Sequence, residues 1–567
     1  MAHRMVAMNG GFLTNLRALA DPVERRWLIG RLRGRWSAPR EKPRPAFLDS
    51  LPAAEPPGRI AWKDLPAGIA RSCLLSLPGG KTLPLEPEQS WNGYRFDDPA
   101  IAAAFHGFSW LANDPQGIAL VTLWPSWLEA FPAGTHPAWA PDITTERAIA
   151  LLDTAARIGL PGPRRRTQEA LVAHAVHLID SLDDPDLMPS ALLRRGHALA
   201  RLGLELAMPG YAGFALALLT AETPRLLRRS GMSSFESTHH HLRLCQSLAD
   251  IWLAARRHGR NEAPAIEALL RRALAVIPAL CLGNDLPLVG DVAESLPPGW
   301  LSGLIRGNPM SEGWTGQLAA ADRALLQGLR DDCFFTDLEA LCAEGWLRVD
   351  IGGWKGLWHV AQHGWPALDS HGHQDLGATE LYFGDVPVFV DPGGSLLGNL
   401  NGQALCRKAS AHGGVQMDGR APYPVDRPHY DDVFRQSVAG KPPVLAAEFD
   451  GASLTFGTLA GINGLREGVR RWHFVDGGLV IDDLLNGNGR YLLSRRLVTP
   501  LAVSREDERT VLLEGHGKRF RLIADVPLST GEGVRWVGFG LTEPVHFIEI
   551  NSRVNLPWRG ELRLVPA

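Results

Sequence analysis

The chain predicts a multidomain α+β protein in which a helical array precedes a large antiparallel β structure, on three observations. From Thr145 to about Pro278 apolar residues recur at three- and four-residue spacing, and beyond Trp346 the period changes to that of strands. Asp-Gly and Gly-Asp pairs then punctuate the second half where tight hairpins would turn. The 567 residues, 45% hydrophobic and 21% charged, suffice for two or more hydrophobic cores. The expected division is a lead-in over 1–90, a helical domain over 91–345 and a β domain over 346–567.

The N-terminal stretch to Trp36 carries Arg4, Arg17, Arg25, Arg26, Arg31, Arg33 and Arg35, which suit either a solvated amphipathic helix or a local patch for an acidic ligand. With no continuous apolar core before a small-residue cleavage site, no secretory signal is visible, and the expectation is a cytoplasmic protein. Pro43, Pro45, Pro52, Pro56, Pro57 and Pro66 predict an extended segment as far as about Gly80. Short helices are expected over 102–112 and 118–131. Leu242, Cys245, Leu248, Trp252 and Ala255 then mark a helix that Gly259 can stop, and Ile266, Leu269, Leu270, Ala273, Leu274 and Ile277 mark the next, ending at Pro278. Such periodicity predicts antiparallel helix pairs, yet does not decide between an open bundle and a closed toroid. Gly384-Asp385, Asp450-Gly451 and Asp476-Gly477, each between β-prone runs, predict hairpins of an antiparallel sheet or sandwich.

Several function classes are disfavoured. Lys and Arg total 58 against 61 Asp and Glu, a net charge of −3 that gives no general attraction to nucleic acid or anionic membrane. No apolar run reaches the about 18 residues that a transmembrane helix needs. Cys73, Cys245, Cys281, Cys333, Cys342 and Cys406 form no CxxC pair and are expected as free thiols. Neither a phosphate-binding Gly-Lys-Ser/Thr loop nor a Gly-x-Ser-x-Gly elbow occurs.

The densest chemical signal is Asp369-Ser370-His371-Gly372-His373-Gln374-Asp375, followed by Val390-Asp391-Pro392-Gly393-Gly394 and Ser410-Ala411-His412-Gly413-Gly414. His373, Asp391 and His412 are a donor set suited to zinc, brought together by a sheet because their spacing is too long for one helix. Two histidines satisfied by backbone carbonyls and an Asp that forms a turn would leave the same pattern. In the His239-His240-His241 tract successive side chains point in different directions, so at most two address one site. His197 sits on an apolar-rich helix and suits either a core or a groove. Among 18 Trp, Trp91, Trp110, Trp124, Trp127, Trp139, Trp300 and Trp314 are expected mostly in cores, with two or three lining a groove.

The strings HGHQD, Asp391-Pro-Gly, SAHGG with Val415 and Asp418-Gly419, and RRWHFVDGGLVIDD over 470–483 resemble the C-terminal half of the heparinase II/III-like family. Arg195-Gly196-His197-Ala198-Leu199 resembles that family's Asn-His helix segment, and Ser237-Thr238-His239-His240-His241-Leu242 its Ser-Thr-His-Tyr-His-Leu helix start. The likeness spans about Thr145 to Asp483. It implies an (α/α) toroid followed by an antiparallel β-sandwich, with an acidic-polysaccharide groove between them. It also implies cleavage of uronic-acid-containing glycans by β-elimination, which requires neutralising the C6 carboxylate, removing the C5 proton and protonating the leaving O4. On this resemblance His197, His240 and His371 are the expected catalytic residues. His241 and Arg407 are expected to bind substrate, and His373, Asp391 and His412 to hold a structural zinc.

The chain departs from the family pattern at three places. Gly196 stands where relatives carry Asn, and His240 where they carry a Tyr acid/base; histidine carries protons near neutral pH, so the roles would be rearranged. No Tyr lies between Asp391 and His412, leaving Tyr423 or Tyr430 as substitutes. These departures keep open a noncatalytic or weakly catalytic glycan-binding protein of the same fold. A hydrolase would need paired carboxylates, for which Asp369, Asp375 and Glu236 are available. A lyase for external glycans would work in the periplasm, the alternative to the cytoplasmic expectation.

Overall fold

The computed structural model describes residues 21–35, 51–58, 62, 65, 72–86, 91–134, 136–184, 187–334, 337–366, 370–395, 406–427, 429–457, 459 and 461–567. The helices that position the site are α1 (Pro141–Ile158), α2 (Arg164–Ser181), α3 (Pro189–Glu205), α4 (Pro209–Leu226), α5 (Thr238–Arg257) and α6 (Ala263–Leu280). Proline opens α1, α3 and α4, where its missing N–H costs no hydrogen bond. Consecutive helices pack pairwise, and α3 sits centrally against α1, α4 and α5. That is the helix-pair array the periodicity predicted, and α5 buries the stripe from Leu242 through Ala255.

The expected extended lead-in is corrected in part. Cys73–Leu77 and Lys81–Leu85 pair as an antiparallel hairpin across Pro78-Gly79-Gly80. Cys73, Leu75, Leu77 and Leu85 alternate inward onto the helical core, a period of two that the surrounding prolines masked. Upstream, helix Pro22–Leu32 packs on the β domain: Trp27 joins its core, and Glu24 accepts hydrogen bonds from Tyr430 Oη (2.6 Å) and His429 Nε2 (2.9 Å). Arg4 and Arg17 lie outside the described residues.

Strands begin at Trp346. Trp346–Ile351, Trp354–His359, Thr379–Phe383 and Val386–Phe389 form one four-stranded antiparallel sheet. A second contains Leu528–Gly538, Leu541–Asn555, Arg490–Thr499 and Gly414–Met417, and an eight-stranded antiparallel sheet includes the long hairpin Leu465–Val475 with Gly478–Gly487. All three contribute to one buried cluster, making the β half an antiparallel sandwich. At the Asp476-Gly477 turn both residues have positive φ, 51° and 73°, as a two-residue hairpin with right-handed strand twist requires.

Across that hairpin Arg470 makes a bidentate ion pair with Asp483, Nε to Oδ1 2.6 Å and Nη2 to Oδ2 2.9 Å, both residues 1% exposed. Arg470→Ala strands a buried carboxylate and is expected to cost about 3–5 kcal/mol in urea unfolding; a loss under 1 kcal/mol would mean the pair is dispensable.

Candidate functional site

A cavity of about 250 Å³ opens where the helical and β halves meet. Its walls carry Glu146 of α1, Arg194 of α3, His240 and Arg243 of α5, Glu294 of the loop after α6, and His371 of the β domain. The start of α5 places His240. Ser237 caps it by accepting the His240 N–H (3.1 Å) while its hydroxyl donates to the Asp291 carbonyl (2.7 Å). Thr238 Oγ1 donates to Pro287 O (2.6 Å) and His239 Nδ1 accepts the Ala293 N–H (2.8 Å), stitching loop 287–294 to the helix entrance.

His240 and His371, from opposite halves of the chain, stack face to face with ring centroids 3.4 Å apart and planes 8° apart. Burial holds the His240 imidazole well below its ordinary pKa of 6.5, and the neighbouring His371 and Arg243 push the same way, so it is neutral at pH 7. His371 offers Nδ1 to Asp291 Oδ2 (3.3 Å), and its Nε2 has no hydrogen-bond partner among the described residues.

Beneath the stacked pair lies a cationic floor. Arg194 reaches Glu146 through Nε (2.8 Å) and Nη2 (2.7 Å), and Arg243 Nη2 reaches the same carboxylate at 2.5 Å. Burial alone would raise Glu146, yet the two guanidinium groups bring it down to about 2, so it is ionised and the trio carries a net positive charge. Burial pushes the Glu294 carboxyl from 4.5 up to about 7; Arg243 opposes this, while Asp291, Glu146 and Asp142 add to it.

The Glu294 shift predicts how stability varies with pH. Its folded pKa lies above the unfolded one, so the folded state holds a proton that the unfolded state has released over this window. Stability is therefore fully present below about pH 4.5 and falls as pH rises to about 7, by at most about 3 kcal/mol. Glu294→Gln is expected to flatten that decline in urea unfolding followed across the window; parallel wild-type and variant profiles would refute the assignment.

Of the expected catalytic residues, His240 and His371 share the cavity and His197 does not. His197 is fully buried behind Arg194, its Nδ1 accepting from Arg194 Nη1 (2.9 Å) and its Nε2–H donating to Asp250 Oδ2 (2.6 Å). It supports the floor, and Arg194, one turn earlier, faces the cavity. Gly196 is likewise a packing position: a Cβ there would lie 2.9 Å from Leu218 and 3.2 Å from Leu219 of α4.

The expected substrate-binding role of His241 is corrected too, since it accepts the Ser233 N–H at Nδ1 (3.2 Å) and donates to Ala273 O from Nε2 (2.9 Å) inside the core. Arg407 does not line the cavity; its guanidinium is engaged by Asp291. Tyr423 and Tyr430 lie in the β-domain core and neither replaces the missing tyrosine. Asp375 and Glu236 are buried off the cavity, and Asp369 lies outside the described residues. Among the singled-out tryptophans only Trp300 borders open space, in a smaller chamber of about 60 Å³ that shares Glu146 and Arg194 with the main cavity.

His373, Asp391 and His412 converge, all buried, with one donor atom from each lying within 4.8 Å of the others. Outward-facing nitrogens are already tied, His373 Nε2 to Asp291 Oδ1 (2.9 Å) and His412 Nε2 to Cys406 O (2.8 Å). That leaves His373 Nδ1 buried without a partner and His412 Nδ1 facing Asp391 Oδ2 at 2.8 Å. Two Nδ1 atoms and a carboxylate, each histidine oriented by an oxygen behind it, fit a transition-metal ion.

Sequence reading missed Arg194, Arg243, Glu146, Glu294 and Asp291. Arg194 and Arg243 sit among helix residues that look like ordinary charged positions, and only the helix packing shows which side of α3 and α5 meets the β domain.

Residues 336–555 match the family model described as "Heparinase II/III-like, C-terminal". A comparison with curated protein sequences finds no match. Among solved structures, a heparinase III superposes with TM-score 0.61 at 13% identity, over 85% of this chain and 80% of that one. A heparan sulfate lyase, HepC from Pedobacter heparinus, gives 0.51 at 13% identity over 85% and 79%. A second heparinase III gives 0.55 at 15% identity over 84% and 80%. The shared architecture is an (α/α) toroid followed by an antiparallel β-sandwich.

Proposed function

From the premise that its C-terminal domain belongs to the heparinase II/III-like family, we propose that this protein is a polysaccharide lyase cleaving an acidic, uronate-containing glycan by β-elimination. The observation that carries the reading is the stacked His240–His371 pair above the Arg194–Glu146–Arg243 floor. In β-elimination a base takes the C5 proton, the freed electron pair forms the C4=C5 double bond, the C4–O4 bond breaks and O4 is protonated. The C5 proton passes to a cavity imidazole, His371 Nε2 or His240, and the imidazolium so formed returns it to the leaving O4, so the step needs no proton beyond the substrate's own. Arg194 and Arg243 are the groups suited to the substrate carboxylate, whose neutralisation makes C5 acidic enough to lose its proton. They take over what Gly196 and the buried His197 do not supply.

Heparan sulfate lyase activity of the structural relative HepC is in keeping with a sulfated or carboxylated glycan as substrate. The noncatalytic alternative is not favoured, because two imidazoles and a cationic floor stand where the tyrosine is missing. A hydrolase loses Asp375 and Glu236, which are buried away from the cavity, and of the cavity's own carboxylates Glu146 is tied by Arg194 and Arg243. The reading includes a structural zinc held by His373, Asp391 and His412, which would tie the loop bearing His371 to the strands behind it.

Product mass separates the chemistries. Elimination fragments sum to the mass of the starting oligosaccharide, whereas hydrolysis fragments exceed it by one water. Mass spectrometry of a digested uronate oligosaccharide is expected to show conserved mass, and added water would assign a hydrolase.

A further inference from the structure

Asp291 lies in the loop after α6, and its carboxylate gathers three groups from the β half. His371 Nδ1 is 3.3 Å from Oδ2, His373 Nε2 is 2.9 Å from Oδ1, and Arg407 Nε is 3.3 Å from Oδ1 with Nη2 on Oδ2. The residue is 1% exposed, and its backbone is pinned on both sides: its N–H donates to His371 O (2.9 Å) and its carbonyl accepts the Ser237 hydroxyl (2.7 Å). An ionised carboxylate only accepts hydrogen bonds, so each imidazole nitrogen facing it must carry a hydrogen. For neutral imidazoles that leaves the lone pair of His371 on Nε2 and that of His373 on Nδ1. His373 Nδ1 is the buried atom with no partner, beside Asp391 and His412.

We propose that Asp291 is a positioning residue that sets the tautomers of His371 and His373 together, coupling the metal centre to the cavity histidine across the junction of the two domains. One carboxylate thus prepares a ligand nitrogen on one side and a proton-accepting nitrogen on the other. Arg407 compensates its charge, so a residue expected to bind substrate is instead engaged by Asp291. The consequence for turnover rests on the lyase reading; the tautomers do not.

The test uses the full-length, zinc-supplemented protein with 15N-labelled histidine, the His371 signals being assigned among the 19 histidines by their loss in His371→Ala. Wild type is expected to show His371 as the Nδ1–H tautomer, and Asp291→Asn to shift it toward Nε2–H. The same variant is expected to hold zinc about 10- to 100-fold more weakly, and to lower kcat with KM changed only a few-fold. Asp291→Glu is expected to restore part of each. A wild-type His371 in the Nε2–H form overturns the proposal even if Asp291→Asn fails to fold. A folded Asp291→Asn with wild-type tautomer and zinc affinity overturns it equally. Should wild type make no unsaturated product, the lyase reading fails while the tautomer result still decides this one.

Discussion

Replacing His240 or His371 by alanine is expected to lower turnover by about 100- to 10,000-fold, the range a positioned proton-transfer group contributes. Because the two rings stack at 3.4 Å and, on the lyase reading, act on one substrate, the double variant is expected to lose little more than the worse single one. Steady-state rates of the four proteins on one glycan measure this. Losses that multiply would show the two histidines acting independently. His197→Ala is expected to behave differently, because His197 braces Arg194 and Asp250 from behind; it should lower thermal stability as well as activity. A His197→Ala protein of unchanged stability with no activity would return that residue to the reaction centre.

The second large effect is expected at the proposed zinc site of His373, Asp391 and His412. At free zinc of about 100 to 1,000 times its dissociation constant, binding to the folded state alone adds about 3–4 kcal/mol. A chelator is therefore expected to lower the thermal midpoint of the wild type, and zinc to restore it. His412→Ala removes the partner 2.8 Å from the buried Asp391 and should abolish both responses. Elemental analysis of the purified wild type finding no transition metal, with a midpoint indifferent to chelator and zinc, would remove the zinc from the reading.

The order of helices then sheets was readable because it rests on periodicity, which burial enforces along each element: the stripe from Leu242 to Ala255 and the Asp476-Gly477 turn needed no tertiary information. The hairpin at 73–85 was obscured because prolines at its margins dominate local propensity while only four inward residues carry the alternation. At the site, the clustered HGHQD, Asp391-Pro-Gly and SAHGG strings located the His373–Asp391–His412 cluster and His371. The histidines on α3 and α5 were harder. His197 and His241 have the residue type of a catalytic group, and only packing shows both ring nitrogens already engaged in the core. Arg194, Arg243 and Glu294 have no local motif, since their role comes from three elements meeting at one cavity.

The most direct measurement is ultraviolet absorbance during incubation of the zinc-supplemented protein with a panel of uronate-containing glycans. β-Elimination conjugates a C4=C5 double bond with the C6 carboxylate, so absorbance should rise with the wild type and stay flat with His240→Ala or His371→Ala. A flat wild-type trace across the panel, with glycan binding still measurable, would contradict the lyase reading and leave a binding protein on a lyase fold.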